Sequence, residues 1–130
     1  MNKSEAVIKR LRFENYIWIV YLVIALGNIW ADELIVKSIE EHEERYDKLA
    51  KIIFLISLIV TLVIYIYFLN RNYNDYVNSN IKNKKNYEIR FLGSIFVFVG
   101  TFCFLYFIIK MPSVEESVSN IWFQIFNFFI

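Results

Sequence analysis

The sequence contains very little proline, glycine, cysteine or histidine: one Pro, three Gly, one Cys and one His among 130 residues. A single cysteine, Cys103, excludes an intramolecular disulfide and any metal site built from several cysteines. Its apolar neighbours predict that this side chain is buried. One histidine and scattered carboxylates supply neither a nucleophile–base pair nor a set of zinc ligands. We therefore predict that the protein is not an enzyme, and that it uses no cofactor, metal or small-molecule substrate.

A strong charge of one sign is also absent, because the formal net charge is only +1. No global field points to nucleic acid, so we predict no nucleic-acid partner. What the chain has instead is apolar surface: 58% of its residues are hydrophobic, including 13 Phe, 9 Tyr and 3 Trp. A soluble protein of this size cannot bury that much apolar surface in one core.

The charged residues avoid three segments almost completely, residues 16–30, 52–69 and 91–109. A helix needs about 20 largely apolar residues to cross a hydrocarbon core of roughly 30 Å. The second and third segments meet that length, and the first can extend at either end. We predict a single all-α, polytopic integral membrane domain with spans at about 14–31, 52–69 and 91–109. Its architecture is a helical hairpin followed by a third span.

The Lys and Arg residues predict how the chain is threaded. Nine of them lie in the N-terminal stretch and in residues 70–90, and five lie on the opposite side of a three-span arrangement. The more basic side belongs in the cytoplasm. We expect a bacterial-type plasma membrane, a cytoplasmic N-terminus and an external C-terminus.

The predicted external connection, residues 32–51, is acidic and contains neither Gly nor Pro. Both spans are therefore expected to continue as helices into a short stalk that reverses between Glu40 and Arg45. One apolar stripe at helical spacing is expected along this stalk: Ile35, Ile39, His42, Tyr46, Leu49 and Ile53. We expect ion pairs of Glu41 with Arg45 and of Glu44 with Lys48. A solvated turn is the main interpretation of its centre, and the alternative is an acidic vestibule formed by several copies from Glu40, Glu41, His42, Glu43 and Glu44.

The predicted cytoplasmic segment, residues 70–90, has seven Asn, which favours turns over a regular helix. Its basic residues Lys82, Lys84 and Lys85 are candidates for contact with anionic headgroups or with a cytoplasmic protein. At the edge of the first span, Glu14 lies one helical turn from Arg10, and the spacing predicts that the two pair.

The C-terminal segment begins with a helix-start signal, Pro112–Ser113 with Glu116 as capping-box partner. Apolar residues at helical spacing then predict an amphipathic helix over residues 113–130, with Trp122 as an interfacial contact. A fourth span is the alternative, and it would return the C-terminus to the cytoplasm.

Small residues within the spans predict helix packing. Gly93, Val97 and Gly100 lie on one side of the third span, where another helix can approach closely. Ser57 and Thr61 form a similar small polar side on the second span. Asn28 is the most polar side chain at any depth, and it is a candidate for a hydrogen bond between helices.

Two functions fit this pattern. The first is a small self-associating membrane protein that forms a pore or perturbs the bilayer, as an effector of a toxin or defence system. In length and span number it resembles the phage holins, a likeness of size that carries over no residue. The second is a non-catalytic accessory or immunity subunit that binds a larger membrane or cytoplasmic partner. The partners predicted are therefore the lipid bilayer and either further copies of the chain or a second protein.

Overall fold

A computed structural model describes residues 2–110, and three long helices make up that part of the chain. They are α1 (Lys3–Glu41), α2 (Glu44–Asn78) and α3 (Lys84–Lys110), and these residues contain no strand. Each helix is long and apolar enough to cross a membrane. The predicted all-helical architecture with three apolar helices is thus confirmed, and the helix lengths indicate a membrane location. The predicted tail helix, with Trp122, and the alternative of a fourth span lie outside the described residues.

The hairpin between α1 and α2 closes through only two residues. α1 ends at Glu41 and is capped by His42, which adopts the left-handed conformation with φ of 54°. The backbone N–H of Glu43 donates to the Ser38 carbonyl at 3.2 Å, and the Ser38 hydroxyl donates to the Glu43 carbonyl at 2.9 Å. These bonds provide hydrogen-bond partners for backbone groups that would otherwise have none at the end of the helix. The reversal falls within the interval predicted from the sequence.

Both helices of the hairpin extend past their apolar segments at either end. The prediction that residues 70–90 favour turns over a regular helix was wrong for most of the segment, because α2 continues to Asn78 and α3 begins at Lys84. Only residues 79–83 are non-helical. Tertiary contacts override the weak helix propensity of asparagine here. Tyr73 and Tyr76 lie against Phe91, with ring centroids 5.4 and 6.2 Å apart.

The bundle has two different ends, the turn end at His42–Glu43 and the basic end, which bears the N-terminus and the connection 79–83. α2 is central and contacts both α1 and α3. The apolar core lies at the turn end, where Ala31 and Ala50 are both 0% exposed. Such small side chains let two helix backbones approach closely. α3 completes this core with Ile108 and Phe104.

The stripe predicted along the stalk differs from the observed contact side. Ile35 is buried as expected, but Ile39 and Leu49 are exposed, and the buried positions are instead Ala31, Leu34, Ser38 and Ala50. The predicted spacing was counted straight through the reversal, where helical periodicity does not continue. For the same reason Glu41 and Arg45 belong to different helices, and Arg45 pairs with Glu43 at 2.7 Å.

Candidate functional site

A buried carboxylate lies near the basic end of the bundle. Glu14, on α1, has a side chain only 11% exposed, and it accepts a hydrogen bond from Arg71 of α2 at 2.6 Å. Arg10 donates to it from one turn away at 3.2 Å, which confirms the predicted pair, and Tyr67 donates at 3.3 Å. Three donors around one buried carboxylate offset the cost of removing its charge from water.

A second carboxylate, Asp75 of α2, connects all three helices. Both of its oxygens accept from the Arg10 guanidinium, at 3.1 and 2.9 Å. Arg90 of α3 approaches the same carboxylate at 3.9 Å. The bidentate hydrogen bonding with Asp75, followed by the weaker contact with Glu14, raises the pKa of Arg10 above its ordinary value. Arg10 is thus a fixed cation shared between two carboxylates.

We call these five residues, Arg10, Glu14, Arg71, Asp75 and Arg90, the charged cluster. Three guanidinium groups face two carboxylates, so the charged cluster carries a net charge of +1. A neutral contact supports it: the side-chain amide of buried Asn72 donates to the hydroxyl of Ser94, which donates onward to the Arg90 carbonyl at 3.1 Å. The asparagine predicted to favour a turn therefore joins α2 to α3.

An open cleft of about 710 Å³ begins at the charged cluster and runs between α1 and α3. Its polar mouth is formed by Glu14, Arg71, Asn72, Arg90 and Ser94. Below the mouth the walls are apolar and mostly aromatic, with Trp18 and Tyr21 from α1 and Tyr65 and Phe68 from α2. The third wall is α3, which contributes Gly93 and Val97.

The small-residue side of α3 faces this cleft. Positions 93, 97, 100 and 104 share one side of a helix, and the last of them, Phe104, packs on the core at the turn end. A Cβ atom built on Gly93 or Gly100 would meet no atom within 4 Å. By contrast, one built on Gly27 would contact Ile53 at 3.9 Å. Gly93 and Gly100 of α3 therefore lie beside open space, whereas Gly27 of α1 lies close to α2.

The other predicted packing residues lie inside the bundle or near its turn end. Ser57 is buried on α2, and Thr61 donates to the Ser57 carbonyl at 2.7 Å, within its own helix. The Oδ1 atom of Asn28 is buried without a hydrogen-bond partner among the described residues, as is that of Asp32 one turn later. Cys103 is exposed, so the prediction that it is buried was wrong.

The acidic turn and the basic connection are separate surfaces at opposite ends. Glu40, Glu41, His42 and Glu44 are exposed, and Glu43 is half-buried. Residues 2–110 contain no group of three His, Cys, Asp or Glu side chains arranged to hold a metal ion. Lys82, Lys84 and Lys85 are all exposed, and the Lys84 ammonium lies 5.4 Å from the centre of the Tyr76 ring.

Sequence reasoning found one pair of the charged cluster and missed the rest. Glu14 and Arg10 are one turn apart, so their spacing reveals them, whereas Arg71, Asp75 and Arg90 join across helices. A signal did exist: each of these residues lies just beyond the predicted edge of a span, and edges on the same side of a membrane have the same depth. Pairing opposite charges by depth would have suggested the charged cluster.

No protein-family model matches this chain, and no curated protein and no solved structure matches it.

Proposed function

We propose that the chain is a small integral membrane protein that associates with further copies of itself and thereby forms a pore in the bilayer or perturbs it. The observation that carries the proposal is the open cleft with the smooth side of α3 as its wall. Residues 2–110 leave this wall uncovered, and the helix of another copy can cover it. The N-terminus is cytoplasmic and the C-terminus external.

The positions of two acidic residues on α1 support insertion in a bilayer. Glu14 and Asp32 lie 18 residues apart on α1, which is about 27 Å along a helix. That distance is close to the hydrocarbon thickness of roughly 30 Å. Between these two residues the side chains turned away from the bundle are large and apolar, as at Leu22, Val23 and Leu26. Such a surface suits contact with lipid or with another protein.

A second helix suits the smooth wall because of how helices bind each other in lipid. Association there depends on close packing and on hydrogen bonds, since lipid is as apolar as leucine. Glycines at positions 93 and 100 let a helix approach closely, and each already lies in open space. Packing a helix against them adds contacts without moving α1 or α2.

Bulky side chains in the cleft provide the test. Gly93→Leu and Gly100→Leu should reduce the mass of the complex extracted in mild detergent and abolish the loss of membrane potential that accompanies expression. Val23→Phe adds the same number of carbon atoms on the side of α1 turned away from the cleft, and it should change neither measurement. A monomer from the wild-type chain, with an unchanged membrane potential, would refute the proposal.

The alternative is a non-catalytic accessory or immunity subunit, and one observation favours it. A pore needs polar groups along its wall, but Thr61 and Thr101 donate to carbonyls of their own helices, at 2.7 and 2.9 Å. No continuous polar line crosses α1, α2 or α3 within the described residues. If the detergent complex contains a second protein in a fixed ratio and one copy of this chain, the accessory function is correct.

A further inference from the structure

We infer that α3 carries both halves of a head-to-tail interface, so that one side of it in one copy enters the cleft of the next copy. We call this side the ridge, and it consists of Glu88, Leu92, Phe96 and Val99. The inference rests on the proposed self-association and adds which surfaces meet and what symmetry results. Repeated around an axis, such contacts build a ring.

The ridge contains a large and highly exposed aromatic side chain that can enter the cleft. Phe96 is 74% exposed, the most exposed large apolar side chain in the three described helices. In the membrane all copies share one orientation, so a residue of one copy meets residues of equal depth in the next. Phe96 lies midway between Gly93 and Gly100 in the sequence, and its ring therefore reaches the next copy at the depth of the open space over those two glycines.

Charges at the mouth of the cleft complement the ridge. Arg90 is 42% exposed, and its only ion pair within residues 2–110 is the 3.9 Å contact with Asp75. The neighbouring Arg71 is 14% exposed and bound to Glu14. Arg90 is thus the cation of the charged cluster with the most capacity left for a partner. Glu88 is exposed and forms no ion pair within residues 2–110. It is two residues from Arg90, which is about 3 Å in depth.

The two surfaces lie on different sides of the same helix. At 100° per residue, positions 88, 92 and 96 are centred roughly 100° away from positions 93, 97 and 100. A contact between two different surfaces is heterologous, and it repeats from copy to copy, whereas a two-fold dimer pairs a surface with itself. Closure of the repeat gives a ring, whose inner wall would come from several chains.

Disulfide formation in membranes tests this arrangement, starting from a Cys103→Ser background. Two chains with different tags are expressed together, one carrying Val99→Cys on the ridge and the other Trp18→Cys or Tyr21→Cys in the cleft wall. Oxidation joins only cysteines whose Cα atoms come within about 7 Å. We expect a disulfide between the two different chains and none when either variant is expressed alone. A chain with both cysteines should give a ladder that continues past the dimer.

Each other outcome overturns the inference in a distinguishable way. A disulfide between two Val99→Cys chains, with no species larger than a dimer, means a two-fold interface, and it leaves self-association intact. A monomer that yields no disulfide removes both the interface and the proposed function. If that monomer retains phospholipid, and Arg90→Gln releases it, the cleft is a lipid site.

Two pairs of variants test the ridge without introducing cysteine. Phe96→Ala should reduce the complex to monomer, whereas Phe102→Ala, an equally apolar change on another side of α3, should not. Glu88→Arg places a cation opposite Arg90 and should weaken association at least tenfold. Glu5→Arg makes the same change of charge at an exposed site on α1 and should leave association unchanged. Equal effects within either pair would contradict the inference.

Discussion

The turn end and the basic end of the bundle are held together by different forces. At the turn end the three helices meet through an apolar core with Ala31 and Ala50 at its centre. At the basic end a cleft lies between α1 and α3. There the helices are joined by ion pairs, by one side-chain amide and by the contacts of Tyr73 and Tyr76 with Phe91. Apolar packing tolerates no gap, whereas long Arg side chains can bridge one. The difference explains how one bundle is closed at one end and open at the other.

The largest effect should come from removing Arg71. Arg71→Met leaves the Glu14 carboxylate buried without its closest partner, and loss of one member of a buried pair costs about 3–5 kcal/mol. The free energy of unfolding, measured by SDS titration in mixed micelles and followed by circular dichroism, should fall by that amount. Arg12→Met, at an exposed position on the same end, should change it by less than about 0.5 kcal/mol.

A double variant shows whether Arg71→Met lowers the stability by leaving a charge unpaired or by changing the packing around Glu14. Adding Glu14→Gln to Arg71→Met removes the unpaired charge, so most of the lost stability should return. The loss in free energy of unfolding of the double variant could instead equal the sum of the losses of the two single variants. In that case packing, and not the ion pair, stabilises the basic end, and the two ends no longer differ.

A smaller effect is expected at the turn end from overpacking. Ala31→Leu inserts a larger side chain at a position with 0% exposure, which should cost about 1–3 kcal/mol by forcing α1 away from α2. Ala6→Leu, at an exposed position of the same helix, is the matched control and should be neutral. The same SDS titration measures both. An unchanged stability for Ala31→Leu would show that the two helices do not approach closely there.

The smallest effect should come from Asp32 and should depend on pH. Burial, and secondarily the neighbouring charge of Glu33, raises the pKa of Asp32 above its ordinary value of 3.8. The folded chain thus holds this proton more tightly than the unfolded chain does. Its stability should therefore decrease as the pH rises from about 3.8 through the raised pKa.

The variant that tests this pH dependence is Asp32→Asn, because its neutral side chain loses no hydration of a charge when it is buried. It should be more stable than the wild type at neutral pH, and the decrease across that pH window should flatten. Thermal unfolding in detergent from pH 4 to pH 8 is the measurement. Glu33→Gln, at the exposed neighbouring position, should retain most of the pH dependence. An unaltered profile for Asp32→Asn would assign the dependence to another group.

At each end of the bundle, one part of the structure is predictable from the sequence and another part is not. The helices, the place of the reversal and the Glu14–Arg10 pair follow from local rules: length, apolar runs and spacing by one turn. The contact side of the stalk and the Arg71–Glu14 and Arg10–Asp75 pairs depend on how helices are rotated against each other. Ala31 and Ala50 share one buried cluster, but their small size becomes informative only once the contact sides of α1 and α2 are known.

Asn72 of α2 is a second case in which a contact between helices could not be predicted from the sequence. Asn72 was counted as a turn former because its side chain can compete for backbone hydrogen bonds. In the structure that side chain is buried and engaged with Ser94, so it no longer competes. Composition alone could not reveal this, since the partner lies 22 residues away on another helix.

The length of α1 has a consequence for the distance between the apolar core and the charged cluster. α1 is one continuous helix of 39 residues, about 58 Å long, with no proline to act as a hinge. Ala31 is fully buried in the core, and Arg10 lies 21 residues away, about 32 Å along the helix. A tilt of α1 by roughly 5° about Ala31 would move Arg10 by about 3 Å, given that rise. A displacement of that size would break the hydrogen bonds between Arg10 and Asp75, so the ion pairs of the charged cluster fix the direction of a long helix.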